Sequence, residues 1–277
     1  MSSTTALSAL KGTQPARSTH TPRHFGAMTY FMVRSLIREL YSLGIFYVIY
    51  LFCTVAIPIA MILAQGMRST GRTDIIIPSF IYLCVFAGMS GTVDFKTQVQ
   101  SSFSRLQIFA FLAIRTVTSS FLLATTTLLL VWIVPFTKVS GAGVIFQELG
   151  VSLYADGGRY MDSGNLGKMF LVSWALFLVA AAIGTMAGLV LEKLGGFGKL
   201  VFFAGCIAAP ILLFQLYTLS SAKDQINAFF LRILGIEWPH LAFHMWPLIG
   251  TLVVLSAVLL GITYLLNRRR EVKRVNA

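Results

Sequence analysis

The sequence predicts an all-α integral membrane protein: six transmembrane helices, an N-terminal cytoplasmic amphipathic helix, and both termini in the cytoplasm. Three observations lead there. Only 12% of its 277 residues are charged and 56% are hydrophobic, with a mean hydropathy of +0.79, whereas a soluble domain averages about 25% charged. Six apolar stretches, Leu43–Gln65, Ile75–Val93, Ile108–Phe136, Phe170–Leu191, Leu200–Leu219 and Phe243–Leu266, are each long enough to cross a hydrocarbon core of ~30 Å. None alternates with period two, which argues for helices rather than an outer-membrane barrel.

Residues 1–24 read as a disordered cytoplasmic tail, rich in Ser and Thr with Pro15 and Pro22 and without the apolar core of a signal peptide. Residues 25–42 read as an amphipathic helix. Phe25, Met28, Met32, Leu36 and Leu40 recur at helical spacing, opposite Arg34 and Arg38. Such a helix lies along the cytoplasmic interface, either as a functional element or as a plain anchor. The six-span domain covers 43–267, and the basic tail 268–277 stops transfer.

Between spans, Gly66–Asp74 is a short outer loop. The inner loop Asp94–Gln107 is polar but punctuated by Val99, Phe103 and Leu106, as in a short helix held against something. Thr137–Lys168 is a long outer loop with an amphipathic piece around Val144–Tyr154. Glu192–Lys199 is a tight, Gly-rich reversal. Ser220–Ala242, with Ile226, Phe229, Phe230, Ile233 and Leu234 at helical spacing, is too short and too charged to span and belongs in the outer interface. Trp238 and Trp246 fit an aromatic belt.

With both ends inside, Arg68, Arg72, Lys138, Arg159, Lys168, Lys223 and Arg232 face outward and the remaining fifteen of the 22 Lys and Arg face inward. That bias is the positive-inside rule, and it accounts for the net charge of +12 without nucleic acid. The localisation it implies is the cell membrane, as a multi-pass protein.

No catalytic constellation emerges. The ten acids are read as lying outside the middles of the spans, which speaks against coupling to protons or sodium. His240 and His244 have only Glu237 nearby as a third metal ligand, so no metal site is assigned. Cys53, Cys84 and Cys206 lie within spans and match no metal spacing. Arg115 is the one cation inside an apolar stretch. Either it snorkels to the inner surface, or it turns inward to meet a partner chain or an anionic substrate group. Gln215 in the fifth span is either a helix–helix hydrogen-bond former or a substrate contact. Gly184 and Gly188 form a GxxxG motif, and Gly88 and Gly91 thin the second span. These small residues serve packing within one chain or a dimer face.

The ground plan, together with Phe103-Ser104-Arg105 followed by Ile108-Phe109, resembles the permease subunits of type 2 ATP-binding-cassette transporters, mostly bacterial exporters. The resemblance covers residues 25–270. It implies a coupling helix in Asp94–Gln107, with Phe103, Ser104, Arg105 and Leu106 at the ATPase contact, and a connecting helix at 25–42. It also implies a dimer with a second or homologous permease, and a cytoplasmic ATPase carrying the ATP and magnesium that this chain does not bind. The expected function is therefore a non-enzymatic, exporting permease subunit surrounded by membrane lipid. A non-transporting scaffold and an ion-coupled carrier are the alternatives.

Overall fold

The computed structural model describes residues 21–64, 70–100, 103–133, 143–146, 163–219, 223–237 and 242–268. It is an all-α protein of long antiparallel helices. They are α1 (Thr21–Leu51), α2 (Ile57–Ala64), α3 (Ile76–Gln100), α4 (Arg105–Ile133), α5 (Ser163–Lys193), α6 (Gly196–Leu219), the short α7 (Lys223–Ile233) and α8 (Met245–Arg268). Among the described residues, four helical segments, Thr29–Met61, Arg105–Val131, Leu166–Lys193 and Met245–Arg268, are long and apolar enough to cross a membrane. Ile76–Gly91 and Gly196–Cys206 are shorter apolar stretches. The first half of α1, the α3–α4 turn, the α5–α6 turn and the end of α8 meet at one end of the bundle, the near end.

The bundle is built for an apolar solvent. Ile77, Ile81, Val85 and Met89 form an outward stripe at four-residue spacing on α3, each more than half exposed. The buried positions include Ser79, Ser90, Thr116, Ser120, Thr127, Thr185 and Thr263. Many of these hydroxyls are satisfied within their own helix, as when Thr116 donates to the Leu112 carbonyl, Thr185 to Ala181 and Thr263 to Leu259. Apolar residues face out and small polar ones face in because lipid, unlike water, does not penalise the former.

Helix α5 is the hub. It packs most extensively on α3, α8 and α4, and Met169, Val172, Phe177, Ala180, Ala181 and Leu189 are buried along it. Its GxxxG is used within the chain. A Cβ on Gly184 would overlap the Cys84 carbonyl and one on Gly188 the Gly88 carbonyl, while one on Gly88 would stand 2.9 Å from the Gly184 carbonyl oxygen. Only glycine permits that backbone contact.

The structure differs from the sequence reading at several points. No helix boundary separates 25–42 from the first span, because α1 runs unbroken from Thr21 to Leu51. Its inward stripe is Ser35, Glu39, Leu43 and Tyr47, while Leu40 is half exposed. Met32 and Leu36, from the apolar face read for 25–42, are partly buried. Asp94–Gln107 is not a separate short helix among its described residues. Asp94–Gln100 continues α3 and Arg105–Gln107 opens α4, since nothing between Val93 and Gln100 breaks a helix. Gly66–Asp74, expected as loop, contains β1 (Thr70–Thr73), paired in parallel with β2 (Gly143–Phe146) from the long loop. The amphipathic piece expected from Val144 therefore opens as a strand, and its remainder lies outside the described residues. Beyond α7, β3 (Ile236–Glu237) pairs antiparallel with β4 (Ala242–Phe243).

Two prolines leave local signatures. Pro58 has no N–H for the Thr54 carbonyl and would clash with it, and the preceding turn, Phe52–Ala56, widens into a π-helix in which the Ile57 N–H reaches the Phe52 carbonyl. Pro78 lies just after the N-cap of α3, where Asp74 Oδ1 accepts from the Ile76 and Ile77 N–H groups at 2.7 and 3.1 Å. The Asp74 carbonyl, deprived of a donor at position 78, accepts the Tyr50 hydroxyl instead.

Candidate functional site: the near-end turn and a buried polar seam

The α3–α4 turn is tied to three helices. Ser104 caps α4 reciprocally: its Oγ accepts from the Gln107 N–H at 3.2 Å and its own N–H donates to Gln107 Oε1 at 2.9 Å. This is a capping box, S-x-x-Q. The half-buried Phe103 ring meets Phe31 of α1 edge-on, centroids 5.7 Å apart. Arg105 Nη1 donates to the Asn267 carbonyl in the last turn of α8 at 3.0 Å. From the other near-end turn, Lys193 Nζ donates to the neighbouring Leu266 carbonyl at 3.3 Å. These are carbonyls that a helix end leaves without an intrahelical partner, at the negative pole of its dipole. Two turns therefore converge on one helix terminus. Leu106, in contrast, is 66% exposed and points away from the bundle.

Deeper in, a polar seam runs between α1, α3 and α4. Arg115 lies ten residues into α4, about 15 Å along its axis, and is buried. Its Nη2 donates to Ser90 Oγ and its guanidinium stands 5.5 Å from the Phe86 ring centroid, a cation–π arrangement. Phe86 stacks on Tyr82 at 5.7 Å, and Tyr82 on Phe46 at 4.4 Å. Tyr82 donates to Ser42 Oγ at 2.9 Å. Glu39 and Arg115 both lie within electrostatic reach of the Tyr82 hydroxyl. Higher in the seam, the Tyr47 hydroxyl and Thr127 Oγ1 share a hydrogen bond of 2.9 Å, and Thr126 Oγ1 donates to Tyr47 at 3.3 Å.

Arg115 is held within the chain by Ser90 and Phe86 of α3 rather than extended to a surface. Gln215 is not brought to it. That residue is exposed near the opposite end of α6, where its backbone carbonyl accepts from Thr218 Oγ1 at 2.7 Å. Sequence reasoning missed Glu39, which is 3% exposed inside the Thr29–Met61 segment. It lies toward the start of that segment rather than in its middle. Its signal was present: Glu39 is the only acid before Asp74. A buried cation and a buried carboxylate in one apolar bundle are costly separately and tolerable together with hydrogen-bonding neighbours.

Among the described residues, no three His, Cys, Asp or Glu side chains are grouped to hold a metal ion. His240 lies outside the described residues, and the His244 N–H donates to the Gly235 carbonyl at 2.7 Å.

Fold and site together define an all-α protein of the membrane-spanning class, with a buried polar seam and a braced turn at one end. No family model, curated protein or solved structure matches the chain.

Proposed function

We propose that the chain is the membrane-spanning subunit of an exporter driven by a separate cytoplasmic ATPase of the ATP-binding-cassette class. In this reading six helices cross the membrane, the near end is cytoplasmic, and two copies or two homologous permeases line the path. ATP and magnesium act on the partner. The observation that carries the reading is the bracing of the α3–α4 turn: Phe103 holds α1, Ser104 starts α4 and Arg105 holds α8. A push on this turn moves three helices at once, and the exposed Leu106 offers an apolar contact for whatever pushes.

The test is co-purification from the native membrane followed by a transport assay. An ATPase that co-purifies with the wild-type chain and is lost on Leu106→Asp, with unchanged thermal stability of the permease, supports the proposal. A chain that recruits no ATPase, or flux that continues without ATP, overturns it.

Glu39 favours a second reading, an ion-coupled carrier, because an acid buried in an apolar bundle is the usual equipment of proton and sodium coupling. Flux sustained by an imposed proton or sodium gradient and abolished by Glu39→Gln selects it.

A further inference from the structure

The stretch of α1 that lies beside the bundle begins well before Leu43. Phe31 meets Phe103 at the near-end turn, and Ser42 accepts from Tyr82 midway along. Tyr50 reaches the Asp74 carbonyl where α3 begins. From Phe31 to Tyr50 the helix rises about 28 Å, which matches a hydrocarbon core of ~30 Å. Arg34 and Arg38 stand three and seven residues past Phe31, about 5 Å and about 10 Å inside that core. Both face away from the bundle. Tyr30, Arg34, Ile37, Arg38 and Tyr41 are exposed on one side of α1, while Ser35, Glu39 and Leu43 are buried on the other. A charge in hydrocarbon is costly unless it is paired or reaches an interface. These two have an interface within reach. A helical side chain leans toward the N-terminus of its own helix, and for α1 that end is the near end. The long arginine stems therefore snorkel to the near surface.

We infer that this face of α1 binds an anionic glycerophospholipid of the leaflet at the near end. Its phosphate rests on Arg34 and its acyl chains run along Ile37 and Tyr41. The sign of the charge selects the lipid. A guanidinium fits the paired oxygens of a phosphate, which every glycerophospholipid carries, so the rest of the headgroup decides. The exposed residues from Tyr30 to Tyr41 include two cations and no acid, because Glu39 turns inward. An ammonium headgroup meets like charge there and no carboxylate. A headgroup of net negative charge keeps the whole attraction. Phosphatidylglycerol is the matching class, and phosphatidylethanolamine is the poorer one. Arg38 also takes part in a contact within the chain, so Arg34 holds the phosphate and Arg38 adds its charge.

The experiment reconstitutes the full chain, without any ATPase, in vesicles of phosphatidylethanolamine and phosphatidylglycerol. One lipid at a time carries a photoactivatable group beside its glycerol, and adducts are mapped by peptide mass spectrometry. Labelling of Tyr30, Val33 and Ile37 by phosphatidylglycerol in excess of phosphatidylethanolamine supports the inference. So does a fall of about fivefold in that preference on Arg34→Gln, the weight of one arginine at an anionic surface. Arg34→Lys, which keeps the charge, retains most of it. Arg34 is exposed, so these substitutions leave the fold and its thermal stability unchanged. Arg268→Gln, at the exposed near end of α8, controls for the general basic field of that end and leaves the preference in place. Equal labelling by both lipids, a preference indifferent to Arg34→Gln, or one reduced as much by Arg268→Gln each overturn the inference. Cross-links from this face to a second copy in place of lipid adducts overturn it too. None of these outcomes bears on whether an ATPase docks at Leu106.

Discussion

Gly188 of α5 and Gly88 of α3 meet backbone to backbone, with no room between them for a single methyl group. Gly184 repeats the contact one turn away against the Cys84 carbonyl. Because lipid offers no hydrophobic force to press helices together, this close approach and the van der Waals contact it allows are what hold α3 on the hub. Gly188→Ala is expected to cost about 1–3 kcal/mol, the range for overpacking a tight site. Gly205→Ala, at a position with nothing within 4 Å of its Cβ, stays within about 0.5 kcal/mol of wild type. Thermal unfolding of the two variants in the same detergent measures the difference.

The seam around Arg115 separates weak from strong contributions. Ser90→Ala removes one interhelical hydrogen bond and should cost about 0.6 kcal/mol, the average within membranes. Arg115→Met leaves the rest of a buried polar cluster without its cation and should cost about 3 kcal/mol or more. If Glu39 and Arg115 act as one unit on Tyr82, the double variant Glu39→Gln with Arg115→Met is less damaging than the sum. The expected coupling is about 0.5–3 kcal/mol. A double-mutant cycle of unfolding free energies reads it, and strict additivity shows that the two charges are independent.

The terminus of α8 carries two cations from two turns, and each should be dispensable singly. Arg105→Gln and Lys193→Gln remove the donors to the Asn267 and Leu266 carbonyls. Exposed contacts of this kind contribute up to about 1 kcal/mol each. The expected outcome is faster amide hydrogen exchange over the last turn of α8 and the first turn of α4 in the double variant. Exchange in the middle of α5 should not change.

What could be read from the residues, and what could not, follows from the range of the forces involved. Apolar length marked the helices because each span must satisfy its own backbone within the bilayer. The α5–α6 reversal was legible from its glycines, and α7 from the spacing of Ile226, Phe229, Phe230 and Ile233. The capping box is equally local, with Ser104 and Gln107 three positions apart at the start of α4. The inward face of α1 is not legible from its apolar spacing alone. In lipid, Ser35 and Glu39 turn in and Leu40 turns out. The pairing of β1 with β2 joins segments some seventy residues apart, and no local pattern announces it.

Tyr50 and Pro78 offer the most specific test, because one compensates a defect created by the other. The carbonyl of Asp74, the N-cap of α3, would ordinarily accept the first intrahelical hydrogen bond from the residue four positions on. That residue is Pro78, which has no N–H, and the Tyr50 hydroxyl takes the place. Tyr50→Phe alone should therefore destabilise by about 1 kcal/mol or more, since it leaves a part-buried carbonyl without a donor. Pro78→Ala alone changes little, because the carbonyl gains a second donor it does not need. In the double variant the backbone N–H of the introduced alanine supplies the bond that Tyr50 had provided, and most of the lost stability returns. Unfolding in detergent of the four chains measures the exchange. A double variant as unstable as Tyr50→Phe means that the hydroxyl's contribution lay elsewhere than in the Asp74 bond, since the phenylalanine ring keeps the stacking on Phe46 at 5.9 Å.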